Sequence, residues 1–309
     1  MDRKVTIVGA GFVGATAAQR IAEKQLADVV MLDILEGMAK GKALDMSESS
    51  PWVGFNTRIS AGQDYALSAD SDVVVITAGI ARKPGMSRED LAATNIKIIK
   101  EIIQPIVKYS PQAILIIVTN PLDVTAYVAK QVSGWPRERV LGQSGALDSS
   151  RFRTFIAQEL DVAPQDVQGL VMGGHSDVGM IPLASHTSVA GIPVSELLDR
   201  ATIERLIERT KRGGTEIVQL LEKGSAYYAP SAAITAMVES ILLDQKRIIS
   251  SSVYLEGEYG LRDLYLDVPV KLGRRGLEEI IEIKLSTPEH EALQQAAGRI
   301  RQTLDKLQL

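Results

Sequence analysis

A strand that runs directly into Gly9-Ala10-Gly11-Phe12-Val13-Gly14 leaves this chain few ways to fold. Residues 4–8 (KVTIV) predict a buried strand, and the alanine-rich apolar stretch over 15–22 predicts a helix. Residues 28–32 predict a second apolar strand that ends on Asp33. Each glycine has a mechanical task. The first permits a tight strand-to-helix turn, the second lets the backbone approach a pyrophosphate, and the third lets helix and strand pack closely. The helix start adds unpaired N–H groups and a partial positive charge. A glycine-rich hexapeptide alone is a common turn. Strand, helix, second strand and terminal acid in order make the pattern specific.

Asp33 lies about 20 residues past the glycines, where a carboxylate can accept hydrogen bonds from an adenosine ribose. It repels a 2′-phosphate, and no arginine follows it in Ile34-Leu35-Glu36-Gly37, so the expected cofactor is NAD rather than NADP.

The pattern continues along the first half. Residues 73–76 and 114–118 are continuous β-branched runs, as suits parallel strands covered on both faces. Between them, Ile98, Ile99, Ile102, Ile103 and Ile106 carry helical spacing over 95–108. Such βαβα alternation predicts an α/β fold with a doubly wound parallel sheet, whose ligands bind beyond the carboxyl ends of the strands. The texture changes near Gly145. Helices are predicted near 149–160, 201–223, 231–243 and 289–307, and strands near 167–172, 251–254, 267–271 and 276–283. The expected division is a Rossmann nucleotide domain over 1–144 and an α+β substrate domain over 145–309, sharing an interface.

Of 309 residues none is cysteine, which removes disulfides, thiolate metal sites and cysteine nucleophiles. The three histidines (His175, His186, His290) lack zinc-ligand spacing, so no metal is expected. Net charge is −4 with no basic stripe, which argues against nucleic acid. No apolar run reaches membrane-spanning length and the start reads as strand, not signal peptide, so a soluble cytoplasmic protein is expected.

Four polar clusters follow strand ends or loops. The first, over 78–88, sets Arg82, Lys83 and Arg88 among glycines and a proline. It reads either as a solvated basic loop or as a lid that brings cations over an anion. The second is Thr119-Asn120-Pro121, an ordinary turn and helix start or a neutral donor and acceptor at the ligand edge. In the third, Leu147-Asp148-Ser149-Ser150-Arg151, Asp148 is an N-cap or a working carboxylate. Its i, i+3 spacing puts it on one helix face with Arg151. The fourth is Gly173-Gly174-His175-Ser176-Asp177, where a histidine in a glycine-rich turn becomes a general base if an aspartate fixes its tautomer. His186, in a β-like apolar segment, and His290, on the terminal helix, read as structural or solvent residues.

Together GAGFVG, VVMLD, AGIARKPGMSREDL, VTNPLD, LDSSRFR and GGHSD resemble the lactate/malate dehydrogenase family, in the family's order and over essentially the whole chain. The resemblance implies a proton-transfer histidine at His175 and its orienting carboxylate at Asp148. It implies substrate contacts at Arg82, Arg88, Asn120 and Arg151. It implies NAD contacts at Gly9, Gly11, Phe12, Val13, Gly14, Asp33, Asn95, Val118 and Asn120. Arg82 stands where lactate-specific members usually carry glutamine, so the chain looks like the lactate-dehydrogenase-like branch of the malate-specific members. The implied reaction is reversible hydride transfer between (S)-malate and oxaloacetate, a tricarboxylic acid cycle step. Its substrate is a small dicarboxylate, and the assembly is a homo-oligomer, tetramer over dimer. A lactate or other 2-hydroxyacid specificity would leave Arg82 unpaired in a closed site, which is costly. A non-catalytic NAD-sensing protein would have no use for His175, Asp148, Arg151 and Arg88 together.

Overall fold

The structure, a computed structural model, describes residues 2–80 and 87–309, and of Arg88 the backbone alone. The first half alternates strand and helix: β1 (Lys4–Val8), α1 (Phe12–Glu23), β2 (Asp28–Leu32), α2 (Glu36–Val53), β3 (Ile59–Gly62), β4 (Val73–Ile76), α3 (Arg88–Tyr109), β5 (Ile114–Ile117), α4 (Leu122–Ser133) and β6 (Val140–Gly142). These strands pair in parallel in the order β3-β2-β1-β4-β5-β6, the doubly wound arrangement. The β-branched runs explain it. Val73, Val74, Val75 and Ile76 are fully buried, with helices on both faces of their sheet. Each such side chain contributes roughly 1.5–3 kcal/mol by leaving water.

The second half comprises α5 (Gly145–Leu160), β7 (Val167–Gln168), β8 (Val171–Gly173), β9 (Met180–Pro182), β10 (Ser188–Val189), β11 (Ile192–Pro193), α6 (Val194–Leu197), α7 (Arg200–Leu221), α8 (Tyr228–Leu242), β12 (Arg247–Glu256), β13 (Arg262–Gly273), β14 (Gly276–Ile280) and α9 (Thr287–Lys306). Here pairing turns antiparallel. The two halves share one sheet of 11 strands, because β12 joins β6 at Ser252 and Gly142. A small separate sheet, β11-β10-β7, borders the second half.

Several elements differ in extent from the sequence reading. The helix expected over 15–22 begins at Phe12, straight after Gly11. That expected over 95–108 begins at Arg88, where a reciprocal cap starts it. Ser87 Oγ accepts from the Asp90 N–H, and Asp90 accepts from the Ser87 N–H. The strand expected over 167–172 is two short strands in different sheets. Helix α5 begins at Gly145 with Ser144 as its N-cap, so Asp148 lies inside the first turn and is not the cap. The capping is done from β13. The Asp267 carboxylate accepts from Ser144 Oγ (2.7 Å) and from the Gly145 N–H (2.8 Å). His186 closes a short 3-10 turn rather than a strand and is exposed, as is His290 on α9.

Candidate active site

Both ends of the site are built at the carboxyl edge of the sheet. Gly9 leaves β1 with φ +104°, a conformation open to glycine, and a Cβ there would meet the Ala78 nitrogen at 2.6 Å. A Cβ on Gly14 would sit 1.9 Å from the Gly9 carbonyl oxygen, so α1 packs against the turn only because position 14 is glycine. Nothing lies within 4 Å of a Cβ built on Gly11. Helix α1 has no side-chain cap and no acid in its first turn, so its N–H groups point into that open space uncompensated. The cradle fits a pyrophosphate. Phe12 is exposed beside it, with Val13 half-buried. Asp33, at the end of β2, accepts from the Ala10 N–H (2.7 Å) and the Leu35 N–H (2.9 Å), which ties it to the same turn.

At the end of β5, Val118 is half-buried and Asn120 is exposed at the cleft, joined to Pro121 by a cis peptide bond. Asn95 behaves differently. It is 1% exposed, and its amide is spent on backbone. Its Oδ1 accepts from the Ile80 N–H (2.9 Å), and its Nδ2 donates to the Asn120 carbonyl (2.7 Å). Asn95 thus acts on the cleft by holding Asn120 and Ile80 in place.

The second end lies about His175, in the turn between β8 and β9. One carboxylate, Asp148, holds two partners. Its Oδ2 faces His175 Nδ1 at 2.8 Å, and its Oδ1 accepts from Arg151 Nη1 at 2.9 Å. The side chains of Asp148, Arg151 and His175 are 1%, 10% and 17% exposed. With Nδ1 on Asp148, the ring presents Nε2 as its free nitrogen. The Nε of Arg151 is buried with no hydrogen-bond partner among the described residues. The guanidinium is a planar group of the kind that forks a carboxylate. Gly213 and Gly214 of α7 give it room, since a Cβ on Gly213 would approach Arg151 Cδ to 3.1 Å.

Two further carboxylates, apart in sequence from the motifs that identified the dyad, close around the histidine. Asp123 of α4 accepts from the His175 N–H (3.2 Å) and from Ser252 Oγ of β12 (2.8 Å). Asp267 caps α5 as described. Burial pushes Asp123 up to about 6, against the hydrogen bonds from Ser252 and His175, and pushes Asp267 well above the usual carboxylate range. Burial also works against a charged His175. The charge and hydrogen bond of Asp148, with Asp267 behind it, outweigh that and push the ring up to about 9, while Arg151 opposes them. The only sequence signal for Asp123 was its place in VTNPLD, and Asp267 had none. Arg82, the Arg88 side chain and, of the lid expected over 80–86, all but Ile80 lie outside the described residues.

A cleft of about 560 Å³ runs past Asn120, Asp123, His175 and Asp177 toward Arg299 of α9. Another cavity, of about 480 Å³, lies at the opposite, amino edge of the strands beside Arg3, Asp72 and Arg274, away from this chemistry.

Comparison with known proteins agrees with this geometry. The sequence model described as lactate/malate dehydrogenase, NAD binding domain, matches residues 3–142, and that of the alpha/beta C-terminal domain matches 145–308. The chain is 55% identical over 305 residues to the malate dehydrogenase of Chlorobium luteolum, covering 98% of each. Among solved structures it is similar to the malate dehydrogenase of Salinibacter ruber (TM-score 0.94, 51% identity, 99% of this chain and 97% of that one). It is also similar to the lactate dehydrogenase of Cryptosporidium parvum solved with lactic acid and nicotinamide adenine dinucleotide (TM-score 0.95, 37% identity, 99% of this chain and 98% of that one).

Proposed function

The chain belongs to the lactate/malate dehydrogenase family, and from that premise we propose that it interconverts (S)-malate and oxaloacetate with NAD as cofactor. The single observation that carries the chemistry is Asp148, one buried carboxylate shared by a proton carrier and a carboxylate-binding arginine. NAD, when bound, accepts or supplies the hydride. Everything else falls to the chain. In malate oxidation neutral His175 takes the hydroxyl proton at Nε2, and in oxaloacetate reduction the imidazolium returns it. Asp148 keeps the Nδ1 proton in place and stabilises the charged ring. Arg151 grips the C1 carboxylate. Asn120 lies beside the reacting oxygen. Arg88 stabilises negative charge growing on the carbonyl oxygen, and Arg82 pairs with the second carboxylate. Gly9, Gly11, Phe12, Val13, Gly14, Asp33 and Val118 line the cofactor's path, with Asn95 behind Asn120.

We divide the chain after residue 144, where parallel pairing gives way to antiparallel and the two family models meet. We assign it to the cytoplasm, at the malate step of the tricarboxylic acid cycle. Among the described residues no helix is long and apolar enough to cross a membrane. A homo-oligomer, tetramer or dimer, is supported by α2, which buries only Ala39 and Ala43 and leaves Leu44 61% and Trp52 93% exposed. The test of the reaction is loss of NADH absorbance with oxaloacetate and then with pyruvate. Rapid loss with the first and little with the second is expected. Equal rates, or none, overturn the assignment.

A further inference from the structure

Lys42, on α2, reaches back to the glycine-rich turn of β1 and α1. Its Nζ donates to the Ala10 carbonyl at 2.6 Å and stands 5.6 Å from the centre of the Phe12 ring. Ala10 is therefore held from both sides, its N–H by the Asp33 carboxylate and its C=O by the Lys42 ammonium. That fixes the peptide whose other end is the Gly11 N–H, and it places a full positive charge at the rim of the open space over Gly11. Lys42 is half-buried, and among the described residues no carboxylate neutralises it. The other α2 lysine differs: Lys40 pairs with Glu36 at 2.8 Å. An ammonium without an ion-pair partner beside an uncapped helix start is well placed to meet a phosphate.

We propose that Lys42 is a cofactor-binding residue, whose ammonium holds the pyrophosphate of the dinucleotide while clamping the turn that cradles it. The proposal rests on the NAD reading and adds a contact outside the glycine-rich motif. Its consequence is electrostatic. Ligands that carry the diphosphate gain from Lys42, and the bare nucleoside does not.

The experiment is equilibrium binding to the intact protein, read by NADH fluorescence and by calorimetry with ADP-ribose and adenosine. Lys42→Met should weaken NADH and ADP-ribose about ten-fold, the scale of one charge-assisted hydrogen bond, and leave adenosine within about two-fold. Added KCl should weaken NADH binding less steeply in Lys42→Met than in the wild type. Lys42→Arg, which keeps the charge, should recover most of the affinity. The proposal is overturned if Lys42→Met binds NADH as the wild type does. It is also overturned if adenosine weakens as much as ADP-ribose, because Lys42 then only braces the turn. A wild-type protein that binds neither NADH nor ADP-ribose sinks the NAD reading itself, an outcome distinct from either.

Discussion

At His175, burial favours a neutral ring and the Asp148 carboxylate favours a charged one, and the carboxylate prevails at a pKa of about 9. In the proposed reaction, oxaloacetate reduction needs the charged ring. Its kcat/KM should be level at neutral pH and fall as pH rises through about 9, while malate oxidation should climb over the same range. Asp148→Asn removes the opposing charge, so both limbs should move to lower pH, and limbs that stay put in the variant overturn the dyad. His175→Asn should cut turnover by about 10²–10⁴-fold with NADH affinity nearly unchanged. The same ionisation is linked to stability. The folded-state pKa of about 9 lies above the ordinary 6.5, so the charged ring stabilises the fold fully below about 6.5, and that contribution is lost as pH rises through about 9. Urea titrations across this range should show the loss in the wild type and not in His175→Asn. We propose that Arg82 decides substrate choice. Closing over pyruvate would bury an unpaired guanidinium, at on the order of 3–5 kcal/mol. Arg82→Gln should therefore lower the oxaloacetate-to-pyruvate ratio of kcat/KM by roughly 10²–10⁴-fold. A ratio that hardly moves would make Arg82 a surface charge.

Among the elements, the junction of β1 and α1 has the least tolerance. A Cβ at position 14 would overlap the Gly9 carbonyl oxygen at 1.9 Å, and neither backbone can yield alone. Gly14→Ala should destabilise the fold by about 1–3 kcal/mol in urea and weaken NADH binding with it, whereas Gly11→Ala, which meets nothing, should leave stability near the wild type. Equal stability in the two variants would contradict the packing. These constraints were legible in the sequence because they are local. The glycine spacing and the runs at 28–32 and 73–76 each carry their signal within a few residues, and those strand limits agree with the structure. Helix α2 was not legible, since a helix that buries only two alanines shows no apolar stripe. Helix α4 showed in the sequence only at its beginning, where Asn120-Pro121 reads as a turn and helix start. The spacing of Asp148 to Arg151 showed that they share a helix face, and its place beside His175 was implied only by the family resemblance. Asp123 and Asp267 were not legible, because positions 123, 148 and 267 meet only through tertiary packing, and no periodicity records it.

For the whole molecule, α2 makes the assembly testable. Trp52 is 93% exposed, and Val53 beside it and Leu44 are exposed too. If this helix faces a second copy, Trp52→Glu should lower the sedimenting mass while its circular dichroism stays that of the wild type. An unchanged mass would put the contact elsewhere.

The pairing of β12 with β6 reaches further than its single register position indicates. The sheet crosses the 144/145 division without interruption, and the same crossing is reinforced where Ser252 donates to Asp123 and Tyr265 Oη donates to the Val140 carbonyl. Heat should find no seam there: calorimetry should record one endotherm, not two. Catalysis inherits the same stiffness. Swinging one half against the other would have to break the β12–β6 pairing and these two hydrogen bonds, so the halves should move together.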